Sequence, residues 1–193
     1  MKYCSECGAL LHLRLLAADG RERSVCPTCD AVRYENPRVL VSTVVYHGNS
    51  LLLCRRAEKP SIGKWNLPSG FLEQAETLEM AAARETFEET GVRISSEALD
   101  LYTVTSLSKI SEVYICFRAP VESDHCLAGP ESLEARFFLE SDLPWNDLAF
   151  PEMYGFLRLF FRELQKAEFG IHLSRVDDLG RFRREYRMTS TGR

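Results

Sequence analysis

Between Gly70 and Val92 the chain reads GFLEQAETLEMAAARETFEETGV, and no other stretch limits the fold as much. Thr77 can cap a helix through its hydroxyl, and residues 78–90 are rich in helix formers. Gly91 suits the left-handed position that follows a helix end. On the helix these signals predict, Glu85, Glu88 and Glu89 stand at i, i+3 and i+4. That spacing spreads them over about 100° of one face. Three carboxylates so close, with no lysine among them, repel one another unless a cation offsets the charge. Either the face is solvated with Arg84 paired to Glu88, or it holds a hard divalent ion such as Mg²⁺ or Mn²⁺.

The whole stretch resembles the Nudix box, the signature of the Nudix hydrolases. Gly70, Glu76, Arg84, Glu85, Glu88, Glu89, Gly91 and Val92 occupy its fixed positions. Thr86 departs from it, standing where that family prefers isoleucine, leucine or valine. Threonine is β-branched and close to valine in size, so the helix can still pack there.

The resemblance covers most of residues 39–166 and implies an α/β fold, a Nudix α/β/α sandwich with a mixed sheet. It also implies Mg²⁺-dependent (or Mn²⁺-dependent) hydrolysis of a small-molecule nucleoside diphosphate linked to another group. In that reading Glu85, Glu88 and Glu89 hold the ion, Arg84 orients them, and Gly70 lets backbone approach the metal. Family members often recruit a further carboxylate from outside the box as base. Glu131 is the first candidate, Glu134 the second, and Glu89 itself a third. Arg55-Arg56, at the exit of an expected strand, could clamp phosphates or stand solvated.

Ahead of this region, Cys4-x-x-Cys7 and Cys26-x-x-Cys29 lie 18 residues apart, the spacing of a closed four-sulfur zinc site. Four thiolates leave no open position, so such a zinc is structural. About 35 residues cannot bury a sufficient core of their own, and the ion would supply the missing stability. Residues 1–35 look like a zinc ribbon, with a strand over 11–16 and a turn at Asp19-Gly20. The following Tyr34-Glu35-Asn36-Pro37 resembles the join to the catalytic domain in zinc-ribbon Nudix proteins, here spanning 38–166.

Several classes of partner are disfavoured. The net charge of −4 gives no reason to expect nucleic acid, and residues 1–38 balance six Lys/Arg against five Asp/Glu. No apolar run is long enough to cross a membrane as a helix, and the start MKYCSECG lacks a signal-peptide core. These features point to the cytoplasm and to cysteines that are metal ligands or free thiols before disulfides, with a homodimer left open.

The remaining elements are read from periodicity. A hairpin is expected over 39–46 and 50–54, with strands over 101–107, 113–118 and 134–140 and an amphipathic helix over 152–166. Trp65 reads as a packing residue, Cys54 and Cys116 as buried small hydrophobes, and no histidine as catalytic. The basic tail, 167–193, carries Arg181, Arg183, Arg184 and Arg187; an extra strand, a partner contact and disorder are all open for it.

For the substrate, two zinc-ribbon branches of the family differ. The NADH pyrophosphatase branch carries a Ser-Gln-Pro-Trp-Pro-Phe-Pro motif shortly after its box. Residues 92–117 here contain neither proline nor tryptophan. The chain resembles the ADP-ribose/FAD pyrophosphatase branch more closely, which favours those substrates over NADH or nucleoside triphosphates. A non-hydrolytic sensor of nucleotide sugars is the reading from another class; the intact box and the lack of a helix-turn-helix pattern argue against it.

Overall fold

In the computed structural model the chain divides after Pro37 into two units. The structure describes residues 2–18, 20–177 and 179–189, without the side chains of Tyr186 and Thr189. The first unit is a three-stranded antiparallel sheet of β1 (His12–Leu16), β2 (Arg21–Val25) and β3 (Val32–Arg33). Among its described residues the buried hydrophobic ones are Cys4, Val25 and Cys26, which is almost no apolar core. In its place stand two matching knuckles. Cys4 and Cys26 donate their backbone N–H to Ala9 and Ala31 (2.8 and 2.9 Å), and each sulfur accepts an N–H two residues on. Hydrogen bonds from the Cys29 and Thr28 backbone hold the Cys26 thiol down to about 6. The four sulfurs lie within 4.8 Å of one another. Of the expected turn, Asp19 lies outside the described residues, while Gly20 has φ +65° and donates to the Leu16 carbonyl (2.9 Å).

The second unit is built on one mixed sheet. Its elements are β4 (Arg38–His47), β5 (Ser50–Arg56), β6 (Trp65–Asn66), β7 (Ser69–Phe71), α1 (Leu78–Thr90), β8 (Asp100–Leu107), β9 (Glu112–Pro120), β10 (Ser132–Leu139), α2 (Glu152–Lys166), β11 (Gly170–Val176) and β12 (Phe182–Thr189). The strand order is β10-β5-β4-β9-β8-β11-β12. β4 runs parallel to β9 and β11 parallel to β8, and the other pairings are antiparallel. The expected helix over 152–166 forms as α2, and the expected strands form with ends shifted by one or two residues.

Strand alternation sends side chains to both faces, and a helix covers each. Val41 packs with Ala81 and Ala82 of α1. On the opposite face Val44, Leu51 and Leu53 pack with Phe156, Leu157 and Phe160 of α2. β4 is buried on both sides from Val41 to Val45, with Ser42 and Thr43 among its valines. Trp65 is packed in this core, edge-on to Phe138 at 4.8 Å.

One irregularity matters for function. β4 and β5 pair only at their turn, Tyr46 with Leu51 and His47 with Ser50. Beyond it they part; β6 pairs with β5 and β7 with β4. The split brings Ser69 and Gly70 against α1.

Of the readings open for the C-terminal stretch, the structure has the extra strand, and in fact a pair. β11 extends the sheet beside β8, and β12 closes its edge. The buried side chains of β11 are polar. His172 meets the Glu163 carboxylate at 3.0 Å, and the Ser174 and Thr105 hydroxyls lie 2.7 Å apart. Residues 190–193 lie outside the described residues.

Candidate active site

α1 begins and ends where its caps dictate. The Thr77 hydroxyl accepts from the Met80 N–H (3.2 Å), and Gly91, at φ +69°, donates its N–H to the Phe87 carbonyl (2.8 Å). Along one side Arg84 ties the acidic residues together. Its Nε and Nη2 grip both oxygens of Glu76 (2.7 and 2.9 Å). Its Nη1 donates to Glu85 (2.7 Å) and Glu88 (3.0 Å), and Nη2 also reaches the Phe71 carbonyl (3.2 Å). Arg84 therefore holds Glu76 below the ordinary carboxylate range, while its own pKa is raised by the same bonds.

Glu85 lies flat against Gly70, and a Cβ at that position would overlap its carboxylate. Glycine there lets the carboxylate keep this place, since a side chain would push it aside. Burial pushes the Glu85 pKa up, against the pull of Arg84. Glu89 is deeper still. Its Oε2 accepts from the Ser69 N–H and from the Cys54 thiol, both at 3.1 Å. Burial nonetheless raises it to about 7. Thr86, the departure from the box, is fully buried and satisfies its hydroxyl on the Ala82 carbonyl (2.7 Å). A threonine is accommodated where the family has an aliphatic residue because its own helix supplies the acceptor.

These groups line a cleft of about 750 Å³, within the usual size of ligand sites. Gly70, Arg84, Glu85, Glu88, Glu89, Glu131 and Arg56 all face it. Glu131 arrives on a loop fastened to the end of α1, where the Gly129 N–H donates to the Glu89 carbonyl (3.1 Å). A Cβ on Gly129 would overlap the Glu88 carbonyl, so this approach too needs glycine. Two of the candidates lie outside the lining of the cleft. Neighbouring strand residues point to opposite faces, so Arg56 turns to the cleft with Cys54 while Arg55 does not line it. Arg55 donates instead to the Gly63 carbonyl (2.9 Å). Glu134 sits in register with Arg55 and is likewise outside the lining.

Other residues of the cleft gave no local signal. Cys54 is more than an apolar filler, since its thiol serves Glu89. Glu112 is buried and paired with Arg38. Glu152 and Phe182 reach the cleft from α2 and β12. Packing of segments distant in the sequence brings them there.

The donors suit a hard divalent ion. Glu85, Glu88 and Glu89 offer oxygens only, and burial leaves Glu85 and Glu89 short of compensating positive charge. They are less tightly gathered than the four thiols of the first unit. Glu85 and Glu88 turn onto Arg84, and Glu89 onto Ser69 and Cys54. Any ion would bind in competition with those bonds.

Two family models and several known proteins match the chain. Residues 36–160 match the NUDIX domain family, and residues 2–35 match the Nudix N-terminal zinc-ribbon family. A crystal structure of a NUDIX hydrolase from Nitrosomonas europaea is 42% identical, with a TM-score of 0.85 over 91% of this chain and 99% of that one. The ADP-ribose pyrophosphatase of Methanocaldococcus jannaschii is 35% identical over 114 residues, 58% of this chain and 67% of that protein. The NAD-capped RNA hydrolase NudC of Salmonella heidelberg is 28% identical over 144 residues, 74% of this chain. The match spans 53% of that relative's length.

The raised Glu89 carboxyl makes a pH prediction. Its folded pKa of about 7 exceeds the ordinary 4.5, so its protonated form is the one favoured by folding. That contribution is complete below 4.5 and is lost as pH rises through 7. Without added divalent ion, Glu89→Gln should therefore gain in melting temperature on the native protein as pH goes from about 5 to 8. Added Mg²⁺ should narrow the gap by stabilising only the native protein. Parallel melting curves across that range would show that burial does not govern Glu89.

Proposed function

This chain belongs to the Nudix hydrolase family, and from that premise we propose that it splits the pyrophosphate of a nucleoside diphosphate joined to a second group, with ADP-ribose or FAD preferred. The observation that carries the reading is the convergence of Glu85, Glu88, Glu89 and Glu131 with Arg56 on one cleft. A pyrophosphate is heavily anionic and repels an attacking oxygen. Mg²⁺ or Mn²⁺ bound by Glu85, Glu88 and Glu89 would neutralise phosphate charge and acidify water.

The protein's own groups divide the remaining work. Arg84 holds Glu85 and Glu88 at fixed positions, and Ser69 holds Glu89. Arg56 offers a guanidinium to phosphate oxygens; its Nε is bonded to the Pro60 carbonyl (2.8 Å), which leaves the other nitrogens. Glu131 is our choice of base, because it faces the cleft while Glu89 is engaged by two donors. Water adds to one phosphorus, Glu131 takes its proton, and the bridging P–O bond breaks. ADP-ribose would give AMP and ribose 5-phosphate; FAD would give AMP and FMN.

The relative named ADP-ribose pyrophosphatase supports this substrate order. The relatives named NAD-capped RNA hydrolase favour a nicotinamide dinucleotide end, and they define the second reading. Against it stands residues 92–117, free of the proline and tryptophan that mark the nicotinamide branch. For the first unit we assign a structural zinc to Cys4, Cys7, Cys26 and Cys29, supported by their clustering and by the near-absence of an apolar core. We place the protein in the reducing cytoplasm, where cysteines persist as thiols or metal ligands.

Protein purified without added metal should carry about one zinc per chain by elemental analysis, and Cys26→Ser/Cys29→Ser should lose it. Zinc near zero, or zinc kept by the double variant, would remove the assignment. For substrate, kcat/KM with Mg²⁺ should rank ADP-ribose or FAD above NADH, NAD-capped RNA and nucleoside triphosphates. A lead of about tenfold for any of the last three, about 1.4 kcal/mol of transition-state preference, would overturn the order.

A further inference from the structure

The cleft has a second lining of different chemistry. Phe150, Met153 and Phe156 supply apolar surface, and Glu152 supplies a carboxyl. Phe182 completes it from β12, beyond the residues matched by the NUDIX domain family. Its position is fixed from both sides. The Asp177 carboxylate accepts from the Leu179 and Arg181 N–H groups (2.9 Å each) and from Nε of Arg181 (3.0 Å) and Arg183 (2.9 Å). The residues flanking Phe182 are thereby clamped. On α2, Gly155 leaves room for it: a Cβ there would come within 3.3 Å of the Phe182 Cβ. The Phe182 ring stands edge-on to Phe156, with centroids 5.9 Å apart.

Glu152 is the polar feature of this lining. Burial raises its pKa, and it forms no ion pair among the described residues. No other side chain among them donates to it. A half-buried carboxyl in such a place is best satisfied by a donor on the ligand.

We propose that this lining is the subsite for an adenine base, packed on the Phe182 ring with its exocyclic amine donating to Glu152, so that the C-terminal hairpin sets base selectivity. The inference rests on the hydrolase reading above and goes further, since it assigns the base end of the substrate. A flat ring with a donor edge fits both halves of the lining. Every base has a π-face to set against phenylalanine, so stacking supplies affinity and Glu152 supplies choice. Adenine offers an amine at its six-position where hypoxanthine offers a carbonyl oxygen, which a carboxylate repels.

Calorimetric titration with AMP and IMP tests the subsite without turnover. The native protein should bind AMP more tightly than IMP. Phe182→Leu keeps the apolar volume but loses the ring, and should bind AMP about tenfold more weakly while melting like the native protein. Glu152→Gln, whose amide can donate as well as accept, should bring the AMP-to-IMP ratio toward one. No AMP binding by the native protein, equal AMP affinity in Phe182→Leu, or an unchanged ratio in Glu152→Gln would overturn the proposal. Activity assays separate the two levels. AMP binding by this rule with no cleavage of any dinucleotide pyrophosphate would sink the hydrolase reading alone. ADP-ribose cleavage whose KM is indifferent to Phe182 would sink the subsite alone.

Discussion

The guanidinium of Arg84 is the contact on which the site depends. Glu85, Glu88 and Glu89 crowd one helix face, and without a fixed counter-charge they would splay. Arg84 bonds Glu85 and Glu88 on its own helix, and Glu76 and the Phe71 carbonyl on the segment before it. It therefore orders the carboxylates and also fastens the incoming chain to α1. The lone-pair geometry of Glu76 matches the planar fork of arginine, which lysine could not reproduce. The split between β4 and β5 is the matching constraint from the sheet, because it delivers Ser69 and Gly70 to Glu89 and Glu85. Conversely, a side chain at Gly70 would take the space that the Glu85 carboxylate occupies.

The two units reach stability by different chemistry, and this bears on which ions they take. The second unit buries phenylalanines, leucines and valines on both faces of a sheet. A fully buried ring such as Phe160 contributes about 1.5–3 kcal/mol by removal from water. The first unit has almost nothing comparable, and its order rests on the four sulfurs and the N–H groups aimed at them. Soft thiolates and hard carboxylates select different ions, so the zinc and magnesium we propose would not compete.

What could be read in the sequence was local. The ends of α1 were legible because Thr77 and Gly91 act within one turn. The acidic face was legible because i, i+3 and i+4 fix it. The Arg55-Arg56 pair was only half legible: alternation says that one of them faces a site but not which one. β6 and β7 are too short to leave a periodic signal, and they form because β4 and β5 part. The C-terminal hairpin was hidden for another reason. In β11 the buried positions are Gly170, His172 and Ser174 while Leu173 is exposed, the reverse of the usual pattern. Those polar groups are tolerated because Glu163 and Thr105 answer them. Phe182 and Glu152 became visible as site residues only when that hairpin and α2 were placed beside the cleft.

We propose above all that the carboxylates of α1 take a divalent cation in exchange for the bonds they make to Arg84, Ser69 and Cys54. The most direct test is Mn²⁺ binding, followed by electron paramagnetic resonance, in the native protein and in Gly70→Ala. The substitution displaces the Glu85 carboxylate, which holds the three atoms nearest to the added Cβ. The account predicts that Gly70→Ala binds Mn²⁺ at least about tenfold more weakly, with its circular dichroism unchanged. Equal affinity in the two proteins, or no Mn²⁺ binding by the native one, would contradict it.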